Sequence, residues 1–377
     1  MKTRLTSIHD KKITILGAGK SGIAAAILAH DLGAKVLLSD AKNIDFTIHN
    51  DIEIESGGHS NKIFDTDFII KSPGISNESS IIKEIQNLSI PIISEIEFAS
   101  WFTSSFIIAL TGSNGKTTTT SLINNIFKLS GKISLLGGNI GIPFSENVLY
   151  ERKHSNRNIV HLLEISSFQL DDIYYFKPDI AIILNITPDH LDRYENFDKY
   201  IEAKLKILSN QDSNCHAIIN NNISNYINNK NIKSKIIKIA NPKSDNFEFN
   251  FDDEKININF KDYNLNGLHN YQNIIFAIAT SKLCNIKNSD IFNSIKNFVP
   301  LSHRVELIKE DLGIKYYNDS KSTNLSSTIV AIEQLENNII LILGGIDKNK
   351  SNFKQLNKYS NKIKKIIIYG ESHVRIN

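Results

Sequence analysis

The sequence predicts an α/β protein of three successive domains, each built around a parallel sheet. Short apolar runs alternate with helical patterns almost from end to end, the rhythm of βαβ units. Two glycine-rich loops, Gly17-Ala-Gly-Lys-Ser-Gly22 and Thr111-Gly-Ser-Asn-Gly-Lys-Thr-Thr118, each stand between an apolar run and a helical pattern. The series restarts near residues 105 and 300. The expected organisation is therefore a Rossmann-like N-terminal domain over 1–105, a central P-loop ATPase domain with a parallel sheet over 106–299, and an incomplete Rossmann-like C-terminal domain over 300–377.

In the first domain, Lys12–Leu16, Lys35–Ser39, Phe68–Lys71 and Ile90–Ile93 read as buried strands. The second series starts with Phe106–Leu110 and includes Ile159–Glu164, Ile180–Asn185 and His216–Asn220. From Phe247 to Phe260 apolar and polar residues alternate, as in a half-exposed hairpin, and Leu268 to Lys282 reads as a helix. After Pro300, strands are expected at Ile314–Asn318, Asn338–Leu343 and Lys365–Tyr369.

Composition narrows the function. A chain of 377 residues with 41% hydrophobic content can bury ordinary cores. A net charge of +3 carried by scattered basic residues gives no reason to expect nucleic acid or an anionic membrane. The cysteines, Cys215 and Cys284, lie far apart, which argues against a disulfide framework or zinc site and fits a reducing compartment. Residues 1–10 lack the apolar core of a signal peptide. The stretch from Phe98 to Leu110 is too short to span a bilayer and is broken by Ser and Thr. The expectation is a cytoplasmic, soluble monomer. The Asn-rich patch from Ile219 to Lys230 reads as biased surface composition.

The Thr111–Thr118 loop is a phosphate cradle. Its glycines turn backbone N–H groups toward one anion, and the following helix N-terminus adds partial positive charge. Lys116 can reach terminal phosphate oxygens, and the Thr117 hydroxyl can ligate Mg²⁺. Leu110 stands where the general G-x-x-x-x-G-K-[ST] pattern has its first glycine. The earlier loop, Gly17 to Gly22, is a G-x-G-x-x-G followed by Asp40 at the end of the next strand, the spacing of a ribose contact. Alone it says NAD, yet the same geometry serves any phosphate at a helix N-terminus, so both readings stand. Ser72-Pro-Gly-Ile75 supplies another turn at the same sheet edge. A ligase whose substrate carries its own nucleotide explains two phosphate loops in one chain.

Other candidates follow strands. Glu164, opening Glu164-Ile-Ser-Ser-Phe-Gln169, is a carboxylate placed to hold Mg²⁺. Asn185-Ile-Thr-Pro-Asp-His-Leu-Asp-Arg-Tyr194 gathers Asp189, His190, Asp192 and Arg193, as a ligand cluster or a polar loop. Lys204 reads as an ordinary solvated helical lysine. Asn270 and Asn273, in Gly267-Leu-His-Asn-Tyr-Gln-Asn273, share one helix face and suit either an adenine edge or helix capping.

Taken together, these segments with Leu301-Ser-His-Arg304 and Asn318-Asp-Ser-Lys-Ser-Thr-Asn324 resemble the Mur ligases, ATP-dependent amide-forming enzymes of peptidoglycan synthesis. The resemblance spans the whole chain. The first-domain loop, the Ser72 turn and Gly137-Gly-Asn-Ile-Gly141 are similar to those of the member that adds D-glutamate to UDP-N-acetylmuramoyl-L-alanine. That resemblance implies ATP on Gly112, Ser113, Asn114, Gly115, Lys116, Thr117 and Thr118, with Asn270, Asn273, Arg304 and Asp319 as further nucleotide contacts. It implies the UDP part on Lys20, Ser21, Asp40, Ser72, Pro73 and Gly74, and the muramoyl-alanine end on Asn139, Ser166, Gln169 and His190. Two Mg²⁺ ions would be held by Thr117 and Glu164 and by His190 with a carbamylated Lys204. Lys321, Thr323 and Lys348 would stand near the incoming D-glutamate. Lys116, His190, Lys204 and Arg304 form the implied catalytic set. Family members continue beyond the strand at Lys365–Tyr369, whereas this sequence stops at Asn377, so the third domain is expected to be incomplete in the chain. The rival readings are another amide ligase of the superfamily, such as one adding glutamate to folate, and a nucleotide-binding protein without full activity.

Overall fold

A computed structural model describes residues 5–45, 48–154, 158–228, 230–251, 254–345 and 352–370. The N-terminal unit is a five-stranded parallel sheet of β1 (Lys12–Leu16), β2 (Lys35–Asp40), β3 (Glu53–Ser56), β4 (Phe68–Lys71) and β5 (Ile92–Ser94), in the order β3-β2-β1-β4-β5. Its helices are α1 (Lys20–Asp31), α2 (Ser80–Asn87) and α3 (Glu95–Ser100). The chain runs outward from β1 to β3 and then returns to β4 on the other side. That reversal opens a crevice at the carboxyl ends of β1 and β4, where open α/β sheets bind ligands.

The central unit repeats the plan with six parallel strands: β6 (Phe106–Thr111), β7 (Ile133–Gly138), β8 (Ile159–Glu164), β9 (Ile180–Ile183), β10 (His216–Asn220) and β11 (Lys235–Ile239), ordered β11-β10-β9-β6-β8-β7. Its helices include α4 (Lys116–Leu129), α5 (Phe144–His154), α6 (Ser167–Asp171), α7 (Phe197–Leu205) and α8 (Ser224–Ile227). The antiparallel hairpin β12 (Asn246–Phe251) and β13 (Glu254–Asn259) inserts Phe251, Ile256 and Ile258 into the core. The apolar α9 (Leu268–Leu283) and the amphipathic α10 (Asn288–Lys296) pack against α4.

One apolar core runs through the N-terminal and central sheets, joining Ile15, Phe68, Phe98 and Trp101 to Ile107, Leu163, Phe176 and Ile183. The junction is also polar. The buried Glu97 carboxylate accepts the N–H groups of Tyr174, Tyr175 and Phe176 and the Trp101 indole N–H. Lys71 pairs with Asp172 at 2.9 Å, and both are largely buried.

The C-terminal unit comprises the antiparallel pair β14 (Glu306–Asp311) and β15 (Ile314–Asn318), α11 (Leu325–Gln334), and the parallel pair β16 (Ile339–Gly344) and β17 (Ile363–Tyr369). The α/β class and the parallel sheets agree with the sequence reading. The strands that reading does not name are β3, β7, β11 and β14. The first three are sheet edges, and β14 is exposed along almost its whole length. Among the described residues, no helix is long and apolar enough to cross a membrane.

Candidate active site

The glycine-rich loop after β6 is held from several sides. Gly115 has φ 82° and begins α4, and a Cβ there would run into the Asn273 side chain of α9, so only glycine fits. The Asn114 N–H donates to Asn185 Oδ1 at 2.8 Å, and Asn185 Nδ2 donates back to the Asn114 carbonyl at 2.9 Å. Ser113 Oγ donates to the Thr187 carbonyl at 2.9 Å and lies 3.1 Å from the Tyr200 hydroxyl. Lys116 Nζ donates to the carbonyls of Gly112 at 2.8 Å and Ser113 at 3.0 Å. Enclosure in protein lowers the Lys116 pKa, Glu164 and Asp189 oppose that shift, and Arg304 adds to it.

Glu164 is buried at the carboxyl end of β8. One oxygen accepts Thr117 Oγ1 at 2.9 Å and the other accepts Asn139 Nδ2 at 3.0 Å. His190 sits in the left-handed region at φ 55°, its N–H donating to Asp189 Oδ1 at 2.9 Å and its ring edge-on to Phe168. Lys204, expected as a solvated lysine, is instead 2% exposed. Its Nζ donates to the Gly112 carbonyl at 2.9 Å and lies 4.6 Å from the centre of the Tyr200 ring. Burial, then the neighbouring Lys116 charge, pushes its pKa well below the ordinary lysine value.

A cleft of about 600 Å³ brings most of the expected residues together. Ser113, Asn114, Gly115, Lys116, Thr117 and Thr118 form one wall, with Asn139, Glu164 and His190 beside them. Asn270 and Asn273 line it from α9, and Arg304, Asp319, Lys321 and Thr323 from the C-terminal unit. Asn270 Nδ2 donates to the Asn266 carbonyl at 2.8 Å, and Asn273 Nδ2 to Asn270 Oδ1 at 3.3 Å. Burial raises the Asp319 carboxyl, against the Ser322 side chain, the Val305 N–H and the Arg304 charge. Gly112 and Lys204 are joined to each other outside the cleft lining. Lys348 lies outside the described residues.

The N-terminal candidates stand apart from this cleft, at the carboxyl edge of the first sheet. Lys20 and Ser21 open α1 after the glycine loop, in which Gly17 has φ 95°. Burial alone would raise the Asp40 carboxyl, but the N–H groups of Lys42 and Ala18 outweigh it and hold the pKa below the ordinary value. Ser72 Oγ donates to the Gly17 carbonyl at 3.1 Å, fastening the turn to the loop. The carbonyls of Pro73, Gly74 and Ile75 face the Arg193 guanidinium at 3.4–3.5 Å, which stacks 4.4 Å from the centre of the Phe168 ring. Ser166 and Gln169 form the capping box of α6, so both have a local structural role.

Sequence reasoning passed over Asn185 and Tyr200 as supports of the phosphate loop, and over Asn324 and Ser326, which touch it from the C-terminal unit. Asn185 and Asn324 do sit in the quoted motifs, at their first and last positions. Motif membership was the available signal.

The fold and cleft define a P-loop α/β protein with a second phosphate-type loop in a separate sheet. A family model for the Mur ligase middle domain matches residues 110–281, and one for the MurD N-terminal domain matches residues 12–81. The UDP-N-acetylmuramoylalanine–D-glutamate ligase of Christiangramia forsetii is 38% identical, over 97% of this chain and 85% of that one. The enzyme of the same name from Macrococcus caseolyticus is also 38% identical, over 97% and 83%. Among solved structures, a pseudomurein peptide ligase type C from Methanothermus fervidus matches with TM-score 0.60 at 17% identity, covering 97% of this chain and 86% of that one. MurF ligase from Thermotoga maritima in complex with ADP matches with TM-score 0.57 at 15% identity, covering 98% and 88%. At these identities the structural likeness speaks to the fold. The chain belongs to the Mur ligases, ATP-dependent enzymes that form amide bonds.

Proposed function

We infer that this chain joins D-glutamate to UDP-N-acetylmuramoyl-L-alanine, consuming ATP in peptidoglycan synthesis. The observation that carries the reading is the cleft, where the phosphate loop, Glu164 and His190 meet Arg304, Lys321 and Thr323 of the C-terminal unit. Relatives named for that ligase, matched over 85% and 83% of their own length, support it.

ATP rests its phosphates on the N–H groups of 112–118, with Lys116 exchanging the Gly112 and Ser113 carbonyls for phosphate oxygens. Asn270, Asn273, Arg304 and Asp319 hold the rest of the nucleotide. The UDP part lies on Lys20, Ser21, Asp40, Ser72, Pro73 and Gly74 in the first crevice. The muramoyl-alanine end reaches past Ser166 and Gln169 to Asn139 and His190. The alanine carboxylate oxygen attacks the γ-phosphorus, the bond to the β-phosphate oxygen breaks, and ADP leaves. Lys116 and Arg304 offset the charge of the two approaching anions. The amine of D-glutamate, held by Lys321, Thr323 and Lys348, then attacks the acyl carbon. The bond to phosphate breaks and the amine loses a proton. Enclosure by the C-terminal unit excludes water that would hydrolyse the acyl phosphate.

The residues fit Mg²⁺. Glu164 is a buried carboxylate beside the Thr117 hydroxyl, the hard-oxygen donors that ion favours. When bound, Mg²⁺ supplies charge neutralisation between phosphate oxygens. His190 and a carbamylated Lys204 are the donors proposed for a second ion. The protein works as a cytoplasmic monomer on soluble substrates, apart from membrane and nucleic acid. The deciding experiment measures ADP release and product mass with UDP-N-acetylmuramoyl-L-alanine and each of several amino acids. ADP release without a D-glutamate adduct overturns the reading.

A further inference from the structure

We propose that Asn324 is a positioning residue that seats the C-terminal unit on the phosphate loop and so holds Lys321 and Thr323 over the reaction centre. The proposal rests on the function inferred above. Asn324 uses both ends of its amide. Oδ1 accepts the Ser327 N–H at 2.9 Å, and the Ser327 hydroxyl lies 3.4 Å from the Asn324 N–H, which completes the capping box of α11. Nδ2 points the other way, donating to Asn114 Oδ1 at 3.3 Å and to Asp189 Oδ2 at 3.0 Å.

Neither acceptor is a casual neighbour. Asn114 belongs to the phosphate loop, and its backbone is locked to Asn185. Asp189 is 6% exposed and precedes His190, whose N–H it accepts. Asn114 in turn donates to Ser326 Oγ at 2.9 Å, adding a bond to the same helix end. At the far end of α11, Gln334 Nε2 lies 3.3 Å from His269 Nε2 of α9. The helix therefore bridges the cleft from the phosphate loop to α9. Thr323 and Lys321 precede Asn324 by one and three residues, so the short chain length ties their placement to the helix start. The cap needs only an acceptor, whereas the seat needs donors. Asparagine supplies both, and aspartate supplies the cap alone.

The test uses that difference in the full chain. Asn324→Asp keeps the α11 cap but loses the donors and sets a carboxylate against Asp189. Its thermal midpoint and its binding of the UDP substrate should stay close to the parent's. The kcat should fall about tenfold or more, since small misplacements of reacting groups cost that much. The KM for D-glutamate should rise, and more ADP should be released per amide formed as the acyl phosphate is lost to water. Small-angle scattering should report a larger radius of gyration, a readout independent of turnover. Parental kinetics and a parental scattering profile overturn the proposal. A parent chain that makes no amide, with scattering that still differs between parent and variant, instead overturns the inferred function and leaves the seat standing.

Discussion

The Nζ of Lys204 lies 2.9 Å from the carbonyl oxygen of Gly112, beneath the phosphate loop and over the Tyr200 ring. A lysine buried this way is costly as an ammonium ion, which is why its pKa falls well below the ordinary value. The neutral amine is the form that attacks CO₂, forming a C–N bond and releasing a proton. A carbamate there would place negative charge near Lys116, and the repulsion between two ammonium groups would give way to attraction. Labelled bicarbonate should therefore give a carbamate carbon signal that Lys204→Arg lacks. Lys204→Ala should lose about a hundredfold in activity, as when one preorganised electrostatic contact is removed. Formate should restore part of it, and an absence of rescue at every concentration counts against the carbamate.

Lys116 makes a separable prediction. Its ammonium is fixed on the loop carbonyls, well placed to turn to phosphate. Lys116→Ala should cost ADP formation on the order of a hundredfold or more. Calorimetric binding of the UDP substrate should fall far less than ADP formation, because the Gly17 loop proposed for its UDP part belongs to another sheet. Undiminished turnover would remove the phosphate-cradle assignment.

Interior strands were legible because both faces are buried and the sequence must be apolar throughout, as in Ile180–Ile183. Edge strands were not. β3 carries a single isoleucine among Glu and Ser, and β11 is mostly exposed. The phosphate loop was legible from local chemistry, since Gly115 and Lys116 must stand in sequence at a helix start. The burial of Lys204 was not, because it depends on Tyr200 and Gly112, and Gly112 lies far from it in sequence. Asn324 was hidden for a related reason. A helix cap explains the residue locally, and only the fold shows its amide reaching Asn114 and Asp189.

Glu95 predicts a pH dependence of stability. It is 2% exposed, with one oxygen accepting the Ser145 N–H and the other without a hydrogen-bond partner among the described residues. Burial pushes its pKa from 4.5 up to about 7, against the Ser145 contacts. Between those values the folded chain keeps the proton and the unfolded chain has lost it, so stability falls as pH rises through that window. Glu95→Gln has no proton to lose. The unfolding free energy of the parent relative to the variant should therefore drop on the order of 2–3 kcal/mol from pH 5 to pH 8. Urea unfolding at the two pH values measures it, and a pH-independent difference refutes the assignment.

Arg193 ties the central unit to the Ser72 turn, which makes it a test of where the UDP substrate binds. Its guanidinium lies on the Phe168 face and reaches the carbonyls of Pro73, Gly74 and Ile75 through long contacts of 3.4–3.5 Å. Bonds of that length are individually weak, so the planar fork and the stack matter more than any single one. Lysine keeps the charge but offers neither the fork nor the flat face. Arg193→Lys should therefore raise the KM for the UDP substrate about three- to tenfold, equivalent to roughly 1 kcal/mol. The kcat and the KM for ATP should hold, because the phosphate loop is fixed by Asn185 and Thr187 rather than by Arg193. A variant with lowered thermal stability and an unchanged KM would make Arg193 a packing residue only, and would take from the Ser72 turn its link to substrate.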